Sequence, residues 1–306
     1  MKWKQLSHEE LFSKLAPPTK KVSMVLDTDT YNEVDDQFAL AYSLLSPEKL
    51  EVEAIYAAPF YNERSSDPKE GMEKSYTEIL RLLRKMHRDT ENFVFKGSDR
   101  YLPDENTAVD SPAARDLIDK AMSREKDDPL YVVAIGAITN VASAILLEPR
   151  IVNKIVVVWL GGQPLDFPTA KEFNLWQDVP AVRVVLDCGV PLVLVPCLGV
   201  ASHMLATMPD LEAYLGGKND LCDTLIELFG DYEENHFGWG KEIWDVAPIG
   251  YMINPDWVPT VLVHSPIITE DLHWAKDTRR HMIRIAYFAN RTDIFTDMYH
   301  KLGNMK

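Results

Sequence analysis

The stretch Val22-Ser23-Met24-Val25-Leu26-Asp27-Thr28-Asp29-Thr30-Tyr31-Asn32-Glu33-Val34-Asp35-Asp36 sets an apolar segment directly against five carboxylates. Val22, Met24, Val25 and Leu26 read as a short buried strand, and the residues from Asp36 to Leu45 carry apolar side chains at helical spacing. The acids therefore fall between a strand end and a helix start. In open α/β sheets ligands bind beyond the carboxyl ends of the strands, so this turn is the first place to look for a site. Carboxylates this close repel one another unless a positive charge offsets them, and their hard oxygens suit Ca2+ or Mg2+.

Outward from the turn, strand and helix patterns alternate. Val52 to Ala58 reads as a strand, Lys69 to Met86 as an amphipathic helix, and Ser111-Pro112 as the cap of a helix ending at Met122. Leu130 to Ile135 and Ile155 to Leu160 are continuous apolar strands separated by a helix from Thr139 to Leu147. Pro180 to Cys188, Leu221 to Tyr232, Val246 to Ile253 and Thr292 to Leu302 read as helices. Pro191 to Pro196, Val258 to Val263 and Met282 to Phe288 read as strands. The expected fold is α/β: a mainly parallel, doubly wound open sheet, with additional helices near the C-terminus and the last strands antiparallel. Residues 1-306 are expected to form one domain, in which 1-20 is an N-terminal helical extension opened by the capping box Ser7-His8-Glu9-Glu10. The polar connections Pro59 to Pro68 and Asp231 to Gly240 are expected beside the site.

Composition narrows the partners. With 47 acidic against 32 basic residues the chain carries a formal charge of −15, which disfavours nucleic acid and anionic membranes and leaves small molecules. Three cysteines without CxxC spacing fit neither a disulfide framework nor a zinc cluster, so a reducing cytoplasm is expected. The first residues lack a signal peptide's apolar core, and no segment has the ~18 apolar residues of a membrane span.

Asp27-Thr28-Asp29 followed by Asp35-Asp36, the turn Ile135-Gly136-Ala137-Ile138-Thr139-Asn140, Glu172-Phe173-Asn174 and Trp244-Asp245 occur in an order that resembles the nucleoside hydrolase family, the inosine-uridine preferring N-ribohydrolases. Singly each is an ordinary acidic loop, helix start or connection; together they point to a divergent member with that family's Rossmann-like sheet. The resemblance implies Ca2+-dependent hydrolysis of the N-glycosidic bond of a ribonucleoside or related N-ribosyl compound, releasing ribose and base. It implies one Ca2+ per chain, held by Asp29, Asp36, the Ile135 carbonyl and Asp245. Asp29 would also be the base that activates water, with Asp27 supporting it from behind. Asp35, Glu172, Asn174 and Asn62 would hold the ribose. A homo-oligomer, dimer or tetramer, is implied as well.

The chain departs from the family pattern in several places, among them the stretch Asp104 to Asp110, where members often carry a His-Gly step. Five residues, rather than three, separate Asp29 from Asp35, so Asn32 and Glu33 are free to reshape the approach to the cation. Trp244 stands where many members carry the histidine that protonates the departing base. An indole is no general acid, although it can stack on a base, and His236 is the nearest histidine in sequence for that task. Asp166 stands where relatives carry a further ribose-binding asparagine. Two other functions remain open: a nucleoside or ribose binder that has lost catalysis, and a haloacid dehalogenase-type phosphatase. The phosphatase fits poorly, because Thr30 comes one position early and no later Gly-Asp pair follows.

Overall fold

The computed structural model describes Trp3, residues 6–125 and residues 127–305; residues 1, 2, 4 and 5 of the expected N-terminal extension lie outside it. The strands are β1 (Val22–Thr28), β2 (Leu50–Ala57), β3 (Val94–Lys96), β4 (Leu130–Ala134), β5 (Ile155–Leu160), β6 (Leu192–Val195), β7 (Leu205–Ala206), β8 (Lys241–Glu242), β9 (Thr260–His264), β10 (Ile267–Ile268), β11 (Trp274–Ala275) and β12 (Met282–Ala286). The helices are α1 (His8–Lys14), α2 (Asp35–Leu44), α3 (Pro68–Lys85), α4 (Pro112–Met122), α5 (Thr139–Leu147), α6 (Phe173–Gln177), α7 (Val179–Asp187), α8 (Met208–Leu215), α9 (Asp220–Gly230), α10 (Val246–Ile253) and α11 (Arg291–Gly303). Among these, no helix is long and apolar enough to cross a membrane.

Eight strands form the main sheet in the order β3-β2-β1-β4-β5-β6-β12-β9, parallel except for β9, which runs against β12. The antiparallel edge expected from the sequence is therefore β9. Strand order reverses at β1, which pairs β2 on one side and β4 on the other, and the crevice of such a sheet opens at this reversal. β4 and β5 are buried along their whole length, which is why they read as continuous apolar runs.

The two faces of the sheet bury separate cores. Met24 and Leu26 of β1 join the core that includes α2, α3 and α8 to α11, whereas Val25 joins the core with α4, α5 and α7. This alternation sets the site, because successive side chains of a strand point to opposite faces. Asp27 follows Val25 toward α5, and Thr28 follows Leu26 toward α2. Asp29, past the last β1 residue, lies at the strand's open end. α8 and β3 were not expected from the sequence patterns, and Phe173–Gln177, which read as connection, is a short helix.

Candidate active site

Fifteen residues line a cavity of about 260 Å3 at the carboxyl ends of the strands. Asp29, Asn32, Glu33, Asp35 and Asp36 come from the turn after β1, Ile135 from the end of β4, Leu160 and Gln163 from the end of β5, and Glu172, Phe173 and Asn174 from the start of α6. Cys197 and Leu198 follow β6, and Trp244 and Asp245 precede α10. Thus Asp29, Asp35, Asp36, Ile135, Glu172, Asn174, Trp244 and Asp245, scattered over more than 200 positions, converge as expected. A larger cavity of about 620 Å3 lies under α1, lined by Pro17, Pro18 and Tyr131, away from these strand ends.

Among the described residues, Asp35, Asp36 and Asp245 form a cluster whose ligating oxygens lie within 4.8 Å of one another. Asp29 is 1% exposed, and neither of its carboxylate oxygens has a hydrogen-bond partner. Asp245 occupies the N-cap position of α10 yet makes no capping bond, so its carboxylate is not spent on the helix. Gly136 permits the close packing at Asp29: a Cβ there would lie 3.0 Å from the Asp29 Cγ. Burial, followed by the charges of Asp36 and Asp35, holds Asp29 well above the usual carboxylate range. Burial and then Asp35, Asp36 and Asp29 do the same to Asp245, and burial raises Asp36 to about 6 against the Thr28 hydroxyl. Four buried carboxyls with so little compensation fit a hard divalent cation, which would reverse the penalty of ionising them.

Buried polar groups fix these acids from behind. Thr28 donates from its hydroxyl to Asp36 Oδ1 and shares a 2.7 Å hydrogen bond with Thr30. Asn140, at the start of α5, donates from Nδ2 to Asp27 Oδ1 at 2.7 Å and to the Ala57 carbonyl at 3.3 Å. Its Oδ1 accepts from the Ser98 N–H at 2.7 Å and hydroxyl at 2.9 Å. Asp27, expected as a support, is held by Asn140 outside the cavity lining, and burial raises it to about 7 while Asn140 opposes the rise.

Glu172 and Asn174, expected to hold the sugar, are committed to backbone groups. Glu172 caps α6: its oxygens accept from the N–H groups of Gly162 at 2.8 Å, Asn174 at 2.9 Å and Leu175 at 3.1 Å. Asn174 donates from Nδ2 to the carbonyls of Ile135 at 3.1 Å and Leu160 at 3.0 Å, bracing the ends of β4 and β5. The Ile135 carbonyl keeps a second lone pair for a cation. Asn62 is not in the cavity wall; it donates to Asn32 Oδ1 at 2.6 Å, and Asn32 is the residue that faces the cavity.

His236 is not brought to the site. Its Nε2 lies 3.0 Å from the Gly230 carbonyl, its ring packs on Trp239 with centroids 5.5 Å apart, and no histidine is among the fifteen lining residues. The expected substitute acid is therefore not brought into the cavity wall: its ring is held at the Gly230 carbonyl, where α9 ends. No Lys or Arg is among the fifteen lining residues either, so no side chain of the wall pairs with a phosphate ester.

One cation stands just behind the wall. Lys241 pairs with Glu33, and its Nζ lies 4.4 Å above the Tyr232 ring. Burial pulls its pKa down, but Asp35 and Glu33 outweigh burial and hold it above the ordinary lysine value. Lys241, Thr28 and Asn140 were not singled out from the sequence. Thr28 and Asn140 lie inside the recognised motifs, whereas nothing in the spacing of Lys241 links it to Glu33.

Comparison with known proteins identifies the family. The family model for inosine-uridine preferring nucleoside hydrolase matches residues 24–296. The pyrimidine-specific ribonucleoside hydrolase RihA of Enterobacter sp. is 28% identical over 267 residues, 78% of this chain and 81% of its own. RihB of Escherichia coli O1:K1, also named pyrimidine-specific, is 31% identical over 161 residues; the match spans 50% of this chain and half the length of that relative. A plant nucleoside hydrolase, PpNRh1, superposes with a TM-score of 0.73 at 19% identity, covering 94% of this chain and all of that one, which establishes the shared fold. The chain belongs to the inosine-uridine preferring nucleoside hydrolase family.

Proposed function

We propose that this protein hydrolyses the N-glycosidic bond of a ribonucleoside or a closely related N-ribosyl compound, with one Ca2+ in the acidic cavity. The observation that carries this reading is Asp29: a buried carboxylate with two unpartnered oxygens, beside the Asp35, Asp36 and Asp245 cluster and opening into the cavity. Asp29, Asp36, Asp245 and the Ile135 carbonyl are the residues that would hold the ion. When bound, Ca2+ would supply Lewis-acid positions that acidify water and orient sugar hydroxyls.

The chain's own groups then have distinct tasks. Asp29 accepts a proton from the attacking water as its oxygen bonds to C1′ and the C1′–N bond breaks, its electron pair leaving with the base. Asp35 accepts a hydrogen bond from a ribose hydroxyl, and Glu172 and Asn174 shape the far side of the sugar pocket. The carboxylate wall stabilises the positive charge that develops on an oxocarbenium-like sugar. Trp244 offers a stacking face, and with no histidine in the wall the departing base takes its proton from solvent. RihA and RihB, named pyrimidine-specific, place pyrimidine nucleosides on the substrate panel beside inosine.

We further assign residues 1–306 to one domain acting in the cytoplasm as a dimer or tetramer. The three buried, free cysteines fit a reducing compartment. Ribose release from uridine, cytidine, inosine and adenosine, with and without chelator, tests the activity, and light scattering tests the assembly. No turnover by calcium-replete protein removes the catalytic reading. A second reading, a non-catalytic nucleoside binder, is favoured by Trp244 alone; turnover that Asp29→Ala abolishes excludes it.

A further inference from the structure

The cavity is assembled from segments that electrostatics drives apart. Asp245 arrives from some 210 residues beyond the turn that carries Asp29, Asp35 and Asp36, and the charges of all three oppose its ionisation. Packing of α10 against α2 holds the base of this junction, but the rim needs a polar tie. Lys241, four residues before Asp245, supplies one: its side chain is 10% exposed, its ammonium pairs with Glu33, and it rests on the Tyr232 ring. Among the described residues this is the ion pair that joins the turn to the 231–245 stretch.

The tie extends to a third segment. Arg64, in the connection before α3, lies 5.4 Å from the Tyr232 ring centroid and 6.0 Å from that of Tyr31, while Asn62 bonds Asn32. Glu33, Tyr31 and Asn32 all belong to the five residues between Asp29 and Asp35. Those residues thus provide the anchor points on the turn side, and Lys241 provides the charge on the other.

We infer that Lys241 is a positioning residue: paired with Glu33 and seated on Tyr232, it straps the segment bearing Trp244 and Asp245 onto the acidic turn and so sets how tightly the carboxylates hold a divalent cation. The inference rests on the proposed cation site, not on the nature of the substrate. Groups that orient metal ligands without touching the metal commonly contribute 10–100-fold in affinity. Arg can preserve such a strap, whereas Met keeps the volume and loses the charge.

Calcium titration by calorimetry, paired with hydrogen exchange of the metal-free protein, tests it. Lys241→Met and Glu33→Gln should each weaken Ca2+ binding by roughly tenfold or more, and the double variant should be no worse than the more severe single, because both remove one interaction. Lys241→Arg should recover most of the affinity. Amides of residues 241–246 and 30–36 should exchange faster in Lys241→Met than in the parent. Arg279→Met, which breaks the surface Arg279–Asp277 pair, should change neither readout. Wild-type affinity together with unchanged exchange in Lys241→Met and Glu33→Gln overturns the strap. If the parent binds Ca2+ but cleaves no ribonucleoside, the proposed function falls while these variants still judge the strap. If the parent binds no Ca2+, the inference falls with the cation site on which it rests.

Discussion

Protein treated with chelator should become more stable as the pH falls from about 7.5 to about 5, the reverse of ordinary acid destabilisation. Asp27 gives the magnitude. It is fully enclosed, and burial raises its carboxyl from 3.8 to about 7 although Asn140 opposes the rise. The difference of ~3 units corresponds to about 4 kcal/mol at about 1.4 kcal/mol per unit. Because the folded value lies above the unfolded one, the stabilisation is complete below 3.8 and is lost as the pH rises through about 7. Between about pH 5 and 7.5 this group alone contributes ~2–3 kcal/mol, or roughly 5 °C at about 2 °C per kcal/mol for a chain of this length. Asp29, Asp35, Asp36 and Asp245 are all raised, burial being the largest cause for each, and act in the same direction. Surface acids such as Glu148, held low by Arg150, titrate beneath this window, whereas His281, lowered by burial to about 4, opposes part of the gain below about pH 6.5. Saturating Ca2+ should add about 3–4 kcal/mol at 100–1,000 times its Kd at the upper pH, and protons should erode that gain toward pH 5. Thermal unfolding across this range, with chelator and with Ca2+, measures both curves. A melting temperature of the metal-free protein that is flat or rises with pH would refute the burial argument.

Four substitutions probe separate parts of the site. Asn140→Ala removes the donor to Asp27 and strands the Ser98 N–H, and should cost about 3–5 kcal/mol in urea unfolding; a loss below about 1 kcal/mol contradicts its bracing role. Gly136→Ala drives a methyl against Asp29 and should cut kcat by at least about tenfold, whereas kcat within twofold of the parent would show that Asp29 need not pack there. His236→Ala should leave kcat/KM within about twofold, since the ring bonds Gly230 outside the cavity; a hundredfold loss would return it to the acid role. Trp244→His introduces a group titrating near 6.5 and should raise kcat/KM for a purine nucleoside by roughly tenfold or more below that pH, with a new alkaline limb. No gain and no limb would mean that position 244 does not reach the leaving base.

What the sequence revealed follows from the range of each interaction. Apolar period and capping pattern are local, so β1, β4, β5, α3 and α4 were readable, and the acids fell where a strand end must place them. The antiparallel β9 could be anticipated because crossovers cease near the C-terminus. Asp245 was recognisable only through the family pattern, since no spacing rule connects it with Asp29. The Glu33–Lys241 pair spans 208 positions and Asn140–Asp27 spans 113, and no local signal records either. His236 misled because proximity in sequence to Trp244 says nothing of position in space: its ring bonds the Gly230 carbonyl and packs on Trp239, and it is not among the residues lining the cavity. Glu172 and Asn174 were read through the family resemblance, and their bonds to backbone groups appear only once β4, β5 and α6 are in register.

The most direct measurement is a 1H NMR time course of calcium-loaded protein with uridine or inosine, following the anomeric signals of ribose and those of the free base. Ribose and base should appear in equal amounts, stop on addition of chelator, and be absent with Asp29→Asn protein that still binds the nucleoside. Intact nucleoside after prolonged incubation with every member of the panel, or undiminished turnover by Asp29→Asn, would contradict hydrolysis at this site.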